Sequence, residues 1–175
     1  MFQRDTNGIF TSSNQEFLTQ NFSDFADLRT GQYVKIIGKF DPAMGFVAVE
    51  IMLEPELGDA EIMCAIGTVD LGRRRLAVFG REVPLLAIRE IKDLDHRIVD
   101  VAELKPGQMV KLKGAYGERQ GFIPKKIRMK ETLEFNIEEL RGVIDKIDPL
   151  SRHLWVNGFA VAATDKTIFV PEHAS

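Results

Sequence analysis

The segment Gly31 to Phe46 returns without a gap as Gly107 to Phe122, which limits the chain to folds that use one small unit twice. Gly31-Gln32-Tyr33-Val34-Lys35-Ile36-Ile37-Gly38 matches Gly107-Gln108-Met109-Val110-Lys111-Leu112-Lys113-Gly114, and Gly45-Phe46 matches Gly121-Phe122. Asp27-Leu28 and Glu103-Leu104 correspond just ahead of them. Each copy reads as a turn, an alternating strand, a short loop (Asp41-Pro42-Ala43-Met44 or Gly117-Glu118-Arg119-Gln120) and a second strand, here termed the closing half-unit.

An opening half-unit also occurs twice. Gly67-Thr68-Val69-Asp70 leads through Gly72-Arg73-Arg74-Arg75 to Leu76-Ala77-Val78-Phe79-Gly80 and Val83. Gly142-Val143-Ile144-Asp145 leads through Asp148-Pro149-Leu150-Ser151 to Leu154-Trp155-Val156-Asn157-Gly158 and Val161. Matched on their first glycines, the copies differ by a three-residue insertion at the turn, where loops absorb length at little cost.

The order is closing, opening, closing, opening, so the chain is out of phase with its own units. Residues 60–133 are predicted to form a complete five-stranded unit, whereas 27–57 and 135–170 are separated halves with unpaired strand edges. These halves are expected to pair, giving a discontinuous barrel within one chain or a swapped oligomer between chains. The short linkers around 57–60 and 131–136 favour closure within a monomer. Residues 1–26 remain as an extension whose Phe17, Phe22 and Phe25 are spaced to cap the outer barrel, and 171–175 as a tail. Five strands, glycine-marked bends and a longer segment between the third and fourth strands predict an all-β chain of two tandem OB-like five-stranded barrels, one discontinuous. In the middle unit that longer segment, Arg89 to Glu103, is charged, lacks alternation and is expected to accommodate a short helix.

The motifs Gly-x-Val/Ile-x-x-x-Asp with Leu-x-Val-x-Gly, and acidic-Leu-x-x-Gly-Gln-x-Val-x-x-x-Gly, resemble those of a bacterial family of small OB-like domains of unknown function, often found in tandem in exported proteins. The resemblance covers most of the chain after about residue 27. It implies a tandem β-barrel accessory protein and carries no active site with it.

Composition excludes several function classes. At 175 residues with 45% hydrophobic content, the chain can bury a core. A net charge of −3 and a pI near 5.7 argue against a surface that is cationic throughout. No apolar run approaches the roughly 20 residues of a membrane span, and Met1-Phe2-Gln3-Arg4-Asp5 lacks the apolar core of a signal peptide. A cytoplasmic protein is expected, or an exported one if a leader is cleaved. The lone Cys64 excludes an intramolecular disulfide and reads as a buried structural thiol. His96, His153 and His173 lack metal-ligand spacing, and Asp145 and Asp148 precede Pro149 as turn residues. With no nucleophile elbow, Walker loop or dinucleotide fingerprint, no catalytic residue, cofactor or metal is expected.

Binding remains. Lys111 and Lys113 alternate outward from Val110 and Leu112, and Lys126, Arg128 and Lys130 share one face of the next strand, with Lys125 on the other. In the first copy the positions of Lys125, Lys126, Arg128 and Lys130 hold Val49, Glu50, Met52 and Glu54. This cationic face suits an acidic protein partner or, with Tyr116 and Phe122 available for stacking, a single-stranded nucleic acid. Arg73, Arg74 and Arg75 form a candidate anion-contact loop. Trp155, together with Phe79 at what reads as the matching position, is expected on the outer face, at an inter-barrel seam or a partner contact. The expected function is a non-catalytic binding or scaffolding module whose partner is another protein or a second copy, with single-stranded nucleic acid as the alternative.

Overall fold

The computed structural model describes residues 22–132 and 137–171. They form β1 (Tyr33–Asp41), β2 (Gly45–Leu53), β3 (Ala60–Ala65), β4 (Val69–Asp70), β5 (Arg75–Val78), β6 (Arg81–Pro84), β7 (Glu90–Lys92), β8 (Met109–Gly117), β9 (Gly121–Lys130), β10 (Glu138–Asp148), β11 (His153–Val156) and β12 (Phe159–Val170). Nine strands make one sheet in the order β1-β2-β12-β11-β10-β3-β8-β9-β7. A further pairing of β1 with β10 closes five of them into a barrel, and β4-β5-β6 form a separate three-stranded sheet. Among the described residues no helix is long and apolar enough to cross a membrane.

The chain is all-β, and its two ends complete each other. In β1 the side chains of Val34 and Ile36 point inward and are fully buried while Lys35 and Ile37 point out, the period-two pattern of a strand with one buried face. Antiparallel pairing sets Ile36 opposite Leu140, and β12 runs parallel to β2 with Phe169 opposite Ile51. The outer halves therefore close within one chain.

The backbone corrects how the halves match. Ile66 donates to Gln108 O and accepts from Gly107 N, just as Ile144 donates to Gln32 O and accepts from Gly31 N. Ile66 is thus the counterpart of Ile144, and Gly67 that of Asp145 rather than of Gly142. Asp70 and Asp148 open equivalent turns: Arg73 N donates to Asp70 Oδ1 and Leu150 N to Asp148 Oδ1. Arg74 and Arg152 both lie near φ +55° and accept from Leu85 and Ala163 respectively. No insertion is needed, because one constant spacing relates every opening pair.

That spacing makes Ile62 and Leu140 counterparts, and β3 pairs β10 with Ile62 directly opposite Leu140. A local two-fold axis runs through this pair, so Glu61 faces Arg141 and its counterpart Glu139 faces Met63. Ion pairs repeat across the axis, with Lys111 Nζ 3.2 Å from Glu61 and Lys35 Nζ 3.9 Å from Glu139.

The two units do not close alike. In the outer unit β12 is laddered to β2 at Ala162–Val47 and Ala163–Ala48. The middle unit carries Pro84 at the counterpart of Ala162 and Pro124 at that of Ala48. Neither proline has an N–H to donate, and β6 is not laddered to β9, although β7 then joins β9 in parallel with Ile91 opposite Ile127. The continuous stretch, predicted as the self-sufficient barrel, is the one left unlatched, and the discontinuous unit is the closed one.

One core runs through both units, from Phe22 and Ile51 to Leu112 and Ile127. Phe22 is buried edge-on against Phe169 with ring centroids 6.0 Å apart, and Phe25 is buried beneath the Arg152 guanidinium; Phe17 lies outside the described residues. Short 3-10 turns at Phe25–Asp27 and Val101–Glu103 are capped by Asp24 and Asp100, which extends the repeat upstream. The segment 89–103 accordingly holds β7 and, at Val101–Glu103, one short 3-10 helix.

Candidate binding face on strands β7, β8 and β9

The cationic side chains gather because of register. Antiparallel pairing of β8 and β9 sets Lys111 opposite Arg128 and Lys113 opposite Lys126, while parallel pairing of β7 sets Lys92 beside Arg128 and Glu90 beside Lys126. Directly opposed residues project to the same face, so these side chains line one shallow depression of about 230 Å³. Gly114 makes the alignment possible, for the register shifts between Lys113 and Gly114 and a Cβ there would fall inside the Ile123 carbonyl. Lys130 continues the row into a neighbouring groove of about 900 Å³, shared with Arg128 and floored by Met63, Met109 and Met129.

Two carboxylates temper this face. Glu61 holds Lys111 and, at 3.9 Å, Lys113, while Glu90 holds Lys92 at 3.7 Å. Around the depression Lys92, Lys111, Lys113, Lys126 and Arg128 outnumber these two, whereas the groove that Lys130 enters is also lined by Asp93, Asp95 and Glu131. Partial burial, then the proximity of Lys111 and Arg128, pushes the Lys130 ammonium below its usual range, with Glu139 opposing. Arg128 Nη2 also lies 2.7 Å from His96 Nδ1, so this imidazole nitrogen accepts, and His96 itself lines the neighbouring groove.

Tyr116 does not join this face. Its ring packs against Gly158 at the junction of the units, its hydroxyl is 3.4 Å from Asp145 Oδ2, and burial followed by that carboxylate raises its pKa. Phe122 is buried in the core. Neither ring is presented beside the lysines, so the face has charge without a stacking platform. Searches of protein families, curated proteins and solved structures returned no match to the chain. The site is therefore read from its own chemistry.

Phe79 and Trp155 also part company. The constant spacing makes Ala77 the counterpart of Trp155, and Phe79 the counterpart of Asn157. Phe79 and Asn157 share a left-handed backbone, at φ +49° and +55°. Phe79 is not on the outer face. It is buried and meets the rings of Phe40, Phe46 and Phe159 at 5.8, 5.0 and 5.5 Å, pinning the middle unit to the closed barrel. Asn157 is the reciprocal pin, a polar one: it is 2% exposed, and its Nδ2 donates to Glu61 O and Arg141 O, on β3 and β10. The closing copies repeat the pattern, with Phe40 against Gly80 and Tyr116 against Gly158. Sequence reasoning missed Asn157 because an asparagine followed by glycine reads as turn chemistry alone. Trp155 is half-buried outside, with the Lys146 ammonium 4.7 Å from its ring centre and His153 beside it.

The three arginines separate. Arg73 is bound to Glu82 at 3.3 Å and Asp70 at 3.7 Å, Arg75 enters β5 opposite Asp70 and Pro84, and Arg74 alone turns toward an apolar groove. Cys64 is buried, which pushes its thiol well above the usual range. Asp148 is held low by the Ser151 hydroxyl, as its turn role requires. Among the described residues no three metal-ligating side chains converge; His173 lies outside them.

Proposed function

We propose that the chain is a non-catalytic binding module of two OB-like units, one built from its ends and one continuous, which holds an acidic protein surface against β7, β8 and β9. The observation that carries this reading is the register-imposed cluster of Lys92, Lys111, Lys113, Lys126 and Arg128 around one depression. The closed barrel is an internal control. At the same five places it holds Val170, Lys35, Ile37, Glu50 and Met52, so the shared architecture does not require the charge. Carboxylates satisfy such a face without stacking, whereas a single strand of nucleic acid draws much of its affinity from aromatic platforms, and Tyr116 and Phe122 are committed elsewhere.

The test is titration of the protein with poly-glutamate and with a single-stranded oligonucleotide of equal charge, at low and moderate salt. Poly-glutamate is expected to bind, to weaken with salt, and to lose about tenfold or more in affinity with Lys126→Glu/Arg128→Glu. No binding at low salt would sink the reading. Much tighter oligonucleotide binding abolished by the same variant would replace the acidic protein with nucleic acid.

A further inference from the structure

The two-fold relation supplies a second internal comparison, at a place remote from the lysines in sequence. A groove of about 460 Å³ beside the closed barrel has a polar wall of Ser23, Asp24, Thr164, Asp165 and Thr167, completed by Arg152. Its counterpart in the middle unit, about 490 Å³, has Val99 for Ser23 and Leu86 for Thr164, with Ile88 and Ile98 added to its lining, while Asp100 and Arg89 stand at the places of Asp24 and Thr167. The anchoring residues diverge as well. Phe22 is 1% exposed against Phe169, whereas Ile98 at the same position is 73% exposed, and Leu86 beside it is 76% exposed.

Exposed leucine and isoleucine gathered in one groove mark a contact surface when the fold itself does not need them, and the polar copy shows that this fold does not. The rim fixes the sign of the occupant. In the polar groove Arg152 is consumed internally, lying 5.1 Å over the Phe25 ring and donating to the carbonyls of Ala163 and Thr164. In the apolar groove the counterpart Arg74 and the neighbouring Arg89 are in no ion pair among the described residues. Two carboxylates also line it, Asp100, which accepts from the Val101 N–H at 2.8 Å, and Glu90, which is paired with Lys92. The groove thus sets aliphatic side chains beside two guanidinium groups, which outnumber its one carboxylate outside an ion pair among the described residues.

We infer that the groove lined by Leu71, Leu86, Ile88 and Ile98 and flanked by Arg74 and Arg89 is a docking site for a segment of a partner protein that carries carboxylates beside bulky apolar side chains. The apolar side chains fill the groove and expel water from Leu86 and Ile98; the carboxylates take the two arginines, whose forked donors suit them. This site is separate from the cationic face, and binding at one does not require the other.

A fluorescein-labelled peptide of alternating leucine and glutamate serves as the probe, with a Leu→Ser and a Glu→Gln version as controls. In the Lys126→Glu/Arg128→Glu background, which disables the acid-binding face, the full chain is expected to bind the parent peptide and neither control. Leu86→Thr/Ile88→Lys installs the residues the polar copy carries and is expected to weaken binding about tenfold or more. Because Ile88 also packs against the core, circular dichroism checks the fold, and Leu86→Thr alone, at a side chain 76% exposed, is expected to weaken binding in the same direction. Arg74→Glu/Arg89→Glu tests the charge in the same way. Binding that persists in the Lys126→Glu/Arg128→Glu background, and that poly-glutamate does not show there, separates this site from the cationic face. Equal binding by the Glu→Gln peptide, or no effect of Leu86→Thr/Ile88→Lys, overturns the inference. So does a concentration-dependent dimer in light scattering that this variant abolishes, which would place a second copy in the groove. Binding to phosphatidylglycerol vesicles abolished by the variant would overturn it in favour of a lipid surface.

Discussion

Replacing Asn157 tests whether the two units are held together by the polar pin at their junction. Its amide donates at 3.2 Å to Glu61 O and at 3.1 Å to Arg141 O, from a side chain that is almost fully buried. Each bond contributes about 0.5–1.5 kcal/mol net. Alanine also has to adopt φ near +55°, a left-handed conformation costing roughly 1–2 kcal/mol that asparagine tolerates better. Asn157→Ala is therefore expected to cost about 2–4 kcal/mol, or about 5–15 °C in Tm for a chain of this size. Asn157→Gly removes the bonds but relieves the backbone, and should cost about 1–2 kcal/mol. Asn157→Asp keeps shape and backbone tolerance while aiming a carboxylate at two carbonyl oxygens, so it should be the most harmful, above about 3 kcal/mol. Equilibrium urea unfolding followed by fluorescence and circular dichroism gives all three values. If the glycine variant equals the wild type, or the aspartate variant is milder than the glycine one, the donor role assigned to Asn157 is wrong.

Further outcomes follow from the same geometry. The Tyr33 hydroxyl donates to Asp59 O at 2.7 Å, and burial, then Glu61, pushes its pKa up to about 12. A raised phenol pKa means the folded state holds the proton more tightly, so stability is complete below the unfolded value of about 10 and falls as pH rises from there through about 12. Tyr33→Phe should make that alkaline slope shallower in pH-dependent urea midpoints, leaving the contributions of Tyr116 and Cys64, while costing about 0.5–1.5 kcal/mol at neutral pH. Gly114→Ala and Gly38→Ala each drive a methyl into a strand carbonyl, of Ile123 and of Val47, and should cost roughly 3 kcal/mol or more, whereas Gly107→Ala, with open space but φ +86°, should cost about 1–2 kcal/mol by the same unfolding assay. Pro84→Ala/Pro124→Ala restores the donors that the closed barrel has at Ala162 and Ala48. Hydrogen exchange should then show both new amides protected, and rapid exchange at both would remove the proline explanation for the open seam.

Much of the architecture was legible because β-strands expose their period and duplicated units expose their boundaries. The alternation Val34-Lys35-Ile36-Ile37 and its copy Val110-Lys111-Leu112-Lys113 fixed which side chains face the core. The order of half-units dictated that the first must seek its complement near the C-terminus. The match between opening halves went astray because Gly67 and Gly142 look alike in sequence yet differ in role. Gly67 sits in the bend between β3 and β4, whereas Gly142 lies within β10, where a Cβ would strike the Asn157 amide. Phe79 was misplaced because it lies past the end of β5 in a left-handed turn at φ +49°, where the alternation of the strand no longer sets which way a side chain points.

By itself, then, the sequence determined the all-β class, the out-of-phase duplication and the outward row of lysines, because these depend on local period and on repeated segments. Only the tertiary structure decided that Lys111 meets Arg128 and Lys113 meets Lys126, that Phe79 is a buried pin, and that the continuous unit stays unlatched at Pro84 and Pro124. Cross-strand register, left-handed turns and the two-fold axis through Ile62 and Leu140 join residues far apart in the chain, and no local pattern encodes those distances.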